Sequence, residues 1–169
     1  MNKPNALRAA LCAAIPVLAA NPDMLRMWVD KGRIVARAAA ANRAFEYRYT
    51  LNVVIENWQG EECALFLAVN EWLTTQQPDL LTQSGEGGYN FEADIIDDKT
   101  MDISIDLQLT EAVRVLARPG GGFELTFVDE ETPMFAELGA ISEPPVPLTA
   151  IWWQGERLVP APPLPVAGP

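Results

Sequence analysis

Phe45-Glu46-Tyr47-Arg48-Tyr49-Thr50-Leu51-Asn52-Val53-Val54-Ile55-Glu56 decides how this chain folds. Apolar residues stand at 45, 47, 49, 51, 53 and 55, against polar or charged ones at 46, 48, 50, 52 and 56. Successive side chains of a strand point to opposite faces, so the run predicts one long amphipathic strand with a dry face and a wet face. A second run, Met101 to Val115, repeats the pattern. Met101, Ile103, Ile105, Leu107 and Leu109 form its inner face, and Asp102, Ser104, Asp106, Gln108 and Thr110 its outer one. A strand predicted over Tyr89 to Ile96 joins it through Asp97-Asp98-Lys99, a polar turn with no room for a crossover helix. Pro119-Gly120-Gly121-Gly122 then turns the chain into a strand over Phe123–Val128.

Helical spacing appears on either side of the first strand. Leu7, Leu11, Ile15 and Leu18 fall on one stripe, which predicts a packing helix whose start is set by Asn2 or Lys3, with Pro4 at its first position. Pro16 should kink the last turn of this helix or end it early. Lys3 and Arg8 ahead of an uncharged, alanine-rich run imitate a targeting signal, but the run is too short to span a bilayer. Leu11 also occupies the place where a lipoprotein signal would have a small residue before Cys12. Glu61 to Gln77 carries Ala64, Leu65, Val69, Trp72 and Leu73 at helical spacing, with Glu61 and Glu62 favourable near the N-terminus, and Pro78-Asp79 ends it. Between these helices, Met24 to Val35 is interrupted at Asp30-Lys31-Gly32 and is expected to form a short hairpin. Ala36–Ala41 reads as a loop or a helical turn. The sum is an α+β domain over residues 1–128, a mainly antiparallel sheet with two helices on one face.

The remaining residues, 129–169, differ in character. Nine of the chain's fourteen prolines fall after Val128. Proline donates no amide hydrogen and favours extended backbone, so an extended, proline-rich C-terminal arm is expected. Within it, Ile151 to Val159 reads as a small hairpin turning at Gly155. Trp152 and Trp153 point to opposite sides of such a strand, and both become dry only by packing on something. With Leu158, they are the expected anchors on a neighbouring subunit or partner, the alternative being that they pack on their own domain.

Composition limits the chemistry. At 169 residues, 49% of them hydrophobic, the chain can bury one ordinary core. It has no histidine, which removes the usual base of Ser or Cys triads and the commonest transition-metal ligand. Ser84, Ser104 and Ser142 thus lack an activating imidazole. There is no phosphate-binding glycine loop with lysine, and no Cys-x-x-Cys pair. Cys12 and Cys63 lie on separate predicted helices and read as small buried hydrophobes. Asp94, Asp97, Asp98 and Asp102 are oxygen-rich, but they lack the EF-hand spacing and its glycine, and a solvated hairpin turn accounts for them. No catalytic, metal or cofactor-binding residue is expected.

The formal charge is −11, unevenly spread. Through Trp58 there are eight Lys/Arg against four Asp/Glu; from Gln59 onward there are four against nineteen. The acidic portion argues against wrapping DNA, which needs phosphates neutralised by cations. Asp102 and Asp106 are the expected core of an acidic surface from which passing DNA is repelled. The asymmetry serves solubility alone, or it also permits basic-to-acidic contacts between copies.

The chain resembles the tail completion protein R family of contractile-tailed, peduovirus-like temperate phages along most of residues 3–145. The matching pieces are Lys3-Pro4 with Leu7-Arg8, Asn21-Pro22-Asp23-Met24-Leu25-Arg26, Val29-Asp30 with Gly32, and Tyr49-Thr50-Leu51-Asn52-Val53. Gln77-Pro78-Asp79, Ala93-Asp94-Ile95, Asp102-Ile103-Ser104-Ile105, Leu109-Thr110-Glu111 and Ile141-Ser142-Glu143-Pro144-Pro145 continue in order. The resemblance implies a structural virion protein, assembled in the host cytoplasm, that completes the tail at its head-proximal end. The element order is also similar to that of tail terminators of lambda-type phages. That likeness implies a homohexameric ring capping the tail tube, meeting tube and sheath below and a neck or head-completion protein above. DNA would pass through it without specific binding, and neither cofactor nor membrane would be involved. The alternative is a neck connector that joins head to tail without ending tube growth.

Overall fold

The computed structural model of the chain describes residues 1–36, 43–81, 87–128, 151–153 and 156–159, without side chains in the last two stretches. Helix α1 runs Lys3–Ala14 with Asn2 at its N-cap and Pro4 in its first turn. Ile15 is extended and α2 restarts at Pro16, running to Ala20. Proline cannot supply the amide that would continue the ladder, so the chain breaks where Pro16 stands. The apolar stripe nevertheless continues across the break: Leu7, Leu11, Ile15 and Leu18 are all buried. A single 3-10 turn over Pro22–Met24 leads into strand β1, Leu25–Ala36.

Here the expectation of a hairpin over Met24–Val35 is corrected. β1 is one continuous strand of 12 residues, paired antiparallel with β2, Phe45–Trp58, along its whole length. Asp30 is the extra residue of a β-bulge: Val29 lies opposite Leu51 and Lys31 opposite Thr50. A bulge and a turn draw on the same residue types. The 14-residue partner strand decides between them, because it offers hydrogen bonds to both halves of β1.

α3 covers Glu62–Gln76, and a 3-10 turn at Pro78–Leu80 follows. β3 runs Asn90–Ile95, β4 Met101–Ala117 and β5 Phe123–Val128. β5 is reached through Gly120, Gly121 and Gly122, all at positive φ, a run of conformations that side chains resist. The sheet order is β1-β2-β4-β3, with β5 also paired to β4. The 17-residue β4 thus carries two partners on its outer edge: β3 against residues 101–106 and β5 against 112–117. β6, Ile151–Trp153, and β7, Glu156–Val159, pair as a separate hairpin.

The core lies between the sheet and the helices. Tyr49, Leu51, Val53 and Ile55 of β2 and Ile103, Ile105, Leu107 and Leu109 of β4 are buried, as the alternation requires. Leu65, Val69, Trp72 and Leu73 of α3 join Leu7 and Leu11 of α1 above them in one cluster. Arg8 ties α1 to the sheet by donating from Nη1 to the Leu25 carbonyl (2.9 Å). Of the two cysteines, both free, Cys12 is partly buried but Cys63 is exposed, contrary to the expectation for it. Its place near the start of α3 falls off the stripe made by Ala64, Leu65, Ala68 and Val69.

Ile105 is fully buried between β2 and β3 under the helices. Truncating it leaves a cavity that packed neighbours fill only in part. Ile105→Ala is expected to lower unfolding free energy by about 2–5 kcal/mol in urea titrations. An unchanged midpoint would mean that the inner face of β4 is misassigned.

Candidate functional site

Three places combine exposure or burial with unusual side chains: a buried polar seam, a cleft at the α1–α2 break, and the helix-free face of the sheet with its two edges.

The seam forms where the outer edge of β4 passes from β3 to β5. Among the described residues, 107–111 have no strand partner on that side, and Gln77, at the C-cap of α3, fills the gap. Its Oε1 accepts from the Thr110 amide (3.0 Å) and from Lys3 Nζ (2.7 Å), while its Nε2 donates to Asp79 and to Thr110 Oγ1 (3.1 Å). Next to it Glu111 accepts from the Asn2 amide (2.6 Å) and, in a short bond, from the Tyr49 hydroxyl. Lys3, Gln77 and Glu111 are all buried. Buried polar groups of this kind are tolerable when their bonds are made, and here they join α1, α3, β2 and β4 at one point. Strand alternation alone puts Glu111 on the inner face, between Leu109 and Val113. A charged residue at an inward position was the signal available in the sequence.

The cleft has a volume of about 620 Å³ and lies between the α1–α2 break and the β2–α3 loop. Asn57 sits there at φ 55°, and Trp58 lies behind it with its Nε1 unpartnered. Gly60 is pressed to the indole so closely that a Cβ would come 2.7 Å from its ring. Glu61 is the one titratable residue of the lining, which suits an apolar insert better than acid-base chemistry.

The helix-free face carries the charge asymmetry. Asp102 and Asp106 are half-exposed there, and β3 sets Asp94 opposite Asp102 and Asn90 opposite Asp106, with Glu92 between. Asp102 also accepts from the Asn57 amide (2.8 Å), and Asp97 from the Lys99 amide (2.8 Å). Among the described residues no group of three or more His, Cys, Asp or Glu is arranged to hold a metal ion. At the other edge β1 presents Arg26, Lys31 and Arg33 on the same face, Arg26 bonded to Glu56 at 3.0 Å. Trp28, 48% exposed, stands among them. Sequence reading found Asp102 and Asp106 but not Arg26, Trp28 or Arg33, because the supposed hairpin scattered them. The side chains of Trp152, Trp153 and Leu158 lie outside the described residues, as do residues 129–150 and 160–169. Among the described residues no helix is long and apolar enough to cross a membrane.

A family model described as P2 phage tail completion protein R (GpR) matches residues 1–131. The chain belongs to this family. It is 43% identical over 135 residues to tail completion protein R of Escherichia phage P2, a span covering 79% of this chain and 86% of that protein. No solved structure matches the chain. The match takes in the whole helix-and-sheet unit, with the seam, the cleft and both sheet edges.

The seam also predicts a pH response. Burial, then the hydrogen bond to Glu111 and its negative charge, push the Tyr49 hydroxyl well above its ordinary 10.0. Burial pushes Tyr89 up to about 12. Above pH 10.0 the unfolded chain therefore releases tyrosine protons that the folded one keeps. The stability due to these groups is complete below that pH and is lost as pH rises through the folded values. Urea midpoints are expected to fall from about pH 10 upward, and Tyr49→Phe to flatten the fall while lowering stability at neutral pH. Equal slopes in the two proteins would remove Tyr49 from the seam.

Proposed function

We propose that this protein completes a phage tail as a structural component and not as an enzyme, forming a homohexameric ring on the head-proximal end of the tail tube. Membership of the tail completion R family carries this reading. An open tube end presents unpaired interaction surface; a ring that binds it without offering the same surface onward stops growth. The chain's lack of histidine agrees with a role that needs no proton transfer. In the ring, the tail tube and sheath lie on one side and the neck or head-completion protein on the other, and no cofactor takes part. Asp102 and Asp106, with Glu92 and Asp94 beside them on the same face, give a surface that repels DNA and lets it pass.

Residues 129–169 act as an arm whose Trp152, Trp153 and Leu158 anchor on a neighbouring subunit or an adjoining tail or neck protein. The match to the family model ends at residue 131, which supports a core over 1–128. Deleting residues 144–169 is expected to leave the melting temperature of the core in place while weakening attachment to tails, read by sedimentation of tails with bound protein. Unfolding of the truncated chain would assign the arm to its own domain.

Electron microscopy of particles made without the protein tests the role itself. Overlong or unsheathed tails are the expected result. Tails of normal length that fail to join heads would replace the terminator by the connector.

A further inference from the structure

The sheet has two outer edges that differ in direction, charge and surroundings, and their differences are complementary. Four strands lie across it in the order β1-β2-β4-β3, each antiparallel to the next. With an even number of strands, β1 and β3 run in opposite directions. A second copy displaced sideways, without being turned over, therefore brings its β1 alongside β3 in the antiparallel sense and keeps its helices on the same side.

The two edges also stand at matching heights. Glu92 pairs with Ser104, Ser104 with Val54, and Val54 with Arg26, so Glu92 and Arg26 occupy the two ends of one cross-strand row. The next row on the other face runs Phe91, Ile105, Val53, Met27. The bulge at Asp30 limits the regular part of β1 to Leu25–Val29, of which Leu25–Trp28 stand level with Ala93–Asn90 of β3.

Charge completes the match. On the helix-free face β1 carries Arg26, Lys31 and Arg33, while β3 carries Glu92 and Asp94. Every residue of β3 is exposed, including Phe91 at 55% and Ile95 at 73% on the helix side, where the Phe91 row ends on Met27 of β1. An edge strand with exposed apolar residues on one face is a template for another strand. Pairing like edges, β1 with β1 or β3 with β3, would set cations against cations or carboxylates against carboxylates, which costs stability. Only the unlike pairing brings opposite charges together.

We infer that β1 of one copy adds to the β3 edge of the next, with Arg26 facing Glu92, so that a second copy of this chain is the partner of both edges. The contact is heterologous: it uses two different surfaces, leaves one of each free at every step, and closes only when the rotation brings the ring round. This rests on the ring reading and specifies the surfaces that make the ring.

Phage carrying Arg26→Cys together with Glu92→Cys, in a Cys12→Ala, Cys63→Ser background, test the contact. Both positions are exposed, so the fold tolerates the changes. Treatment of purified particles with a short bismaleimide is expected to give a ladder of multimers on denaturing gels, and each single-cysteine variant only monomers. Dimers from either single variant would establish pairing of like edges and overturn the inference. Monomers alone, in particles where electron microscopy still shows a ring, would overturn it and leave the ring standing. Particles holding one copy per tail would overturn both.

Charge reversal supplies a second reading. Arg26→Glu and Glu92→Arg, each alone, are expected to lower tail completion on the order of tenfold or more, and the two together to restore it. Single reversals without effect, or a double variant no better than either single one, would also sink the edge pairing.

Discussion

Everything in this structure depends on the register between β2 and β4. Their pairing fixes odd-numbered residues of both strands on one face, from Phe45 opposite Val113 to Ile55 opposite Ile103. A slip by one residue would turn all of these side chains toward water and bring Arg48, Asn52, Asp102 and Asp106 inward. No helix packing could compensate such a reversal, so the dry face is specified strongly. The helices need only supply apolar stripes of sufficient length, and the flanking strands take the faces already set for them.

The polar seam solves a problem that this register creates. β4 is longer than any strand that borders its outer edge, and between β3 and β5 its backbone would lie buried without partners. Gln77 provides both a donor and an acceptor at that point, and Lys3 and Asp79 occupy its remaining capacity. The charged members, Lys3 and Glu111, add little net stability, because they must leave water to take part. What they add is geometry. The amide of Asn2 reaches Glu111 only when α1 begins at one place above β4.

The sequence made the central strands legible because alternation over ten or more residues has few other readings, and Pro16 because its missing amide acts wherever the helix is packed. The bulge at Asp30 was hidden for a physical reason. Asp-Lys-Gly suits a turn by local preference, and the partner that overrides it is a strand more than fourteen residues away. Cys63 was misjudged because helical residues one position apart differ by a hundred degrees, enough to move from the core to solvent. The seam joins Lys3, Gln77 and Glu111, which are separated by up to 108 positions, so only the inward placement of Glu111 announced it. These residues lie in the pieces that carry the family resemblance, which gave their order along the chain and not their meeting. The charge imbalance was countable in the sequence, but its division between two edges of one sheet needed the strand order.

The unequal covering of β4 has a thermodynamic consequence. Val113 is its last buried residue, and beyond it Leu116, together with Phe123 and Leu125 of β5, is at least half exposed. One strand thus passes through two regimes of opening free energy. Amides before the seam exchange with solvent only when the core dissolves, whereas those of the β4–β5 hairpin exchange by a local detachment that leaves the core intact. The hairpin behaves as a separable cooperative unit on a rigid stem. Its one tie to the packed region is Phe127, opposite Val113 and stacked on Tyr47, among the described ring contacts.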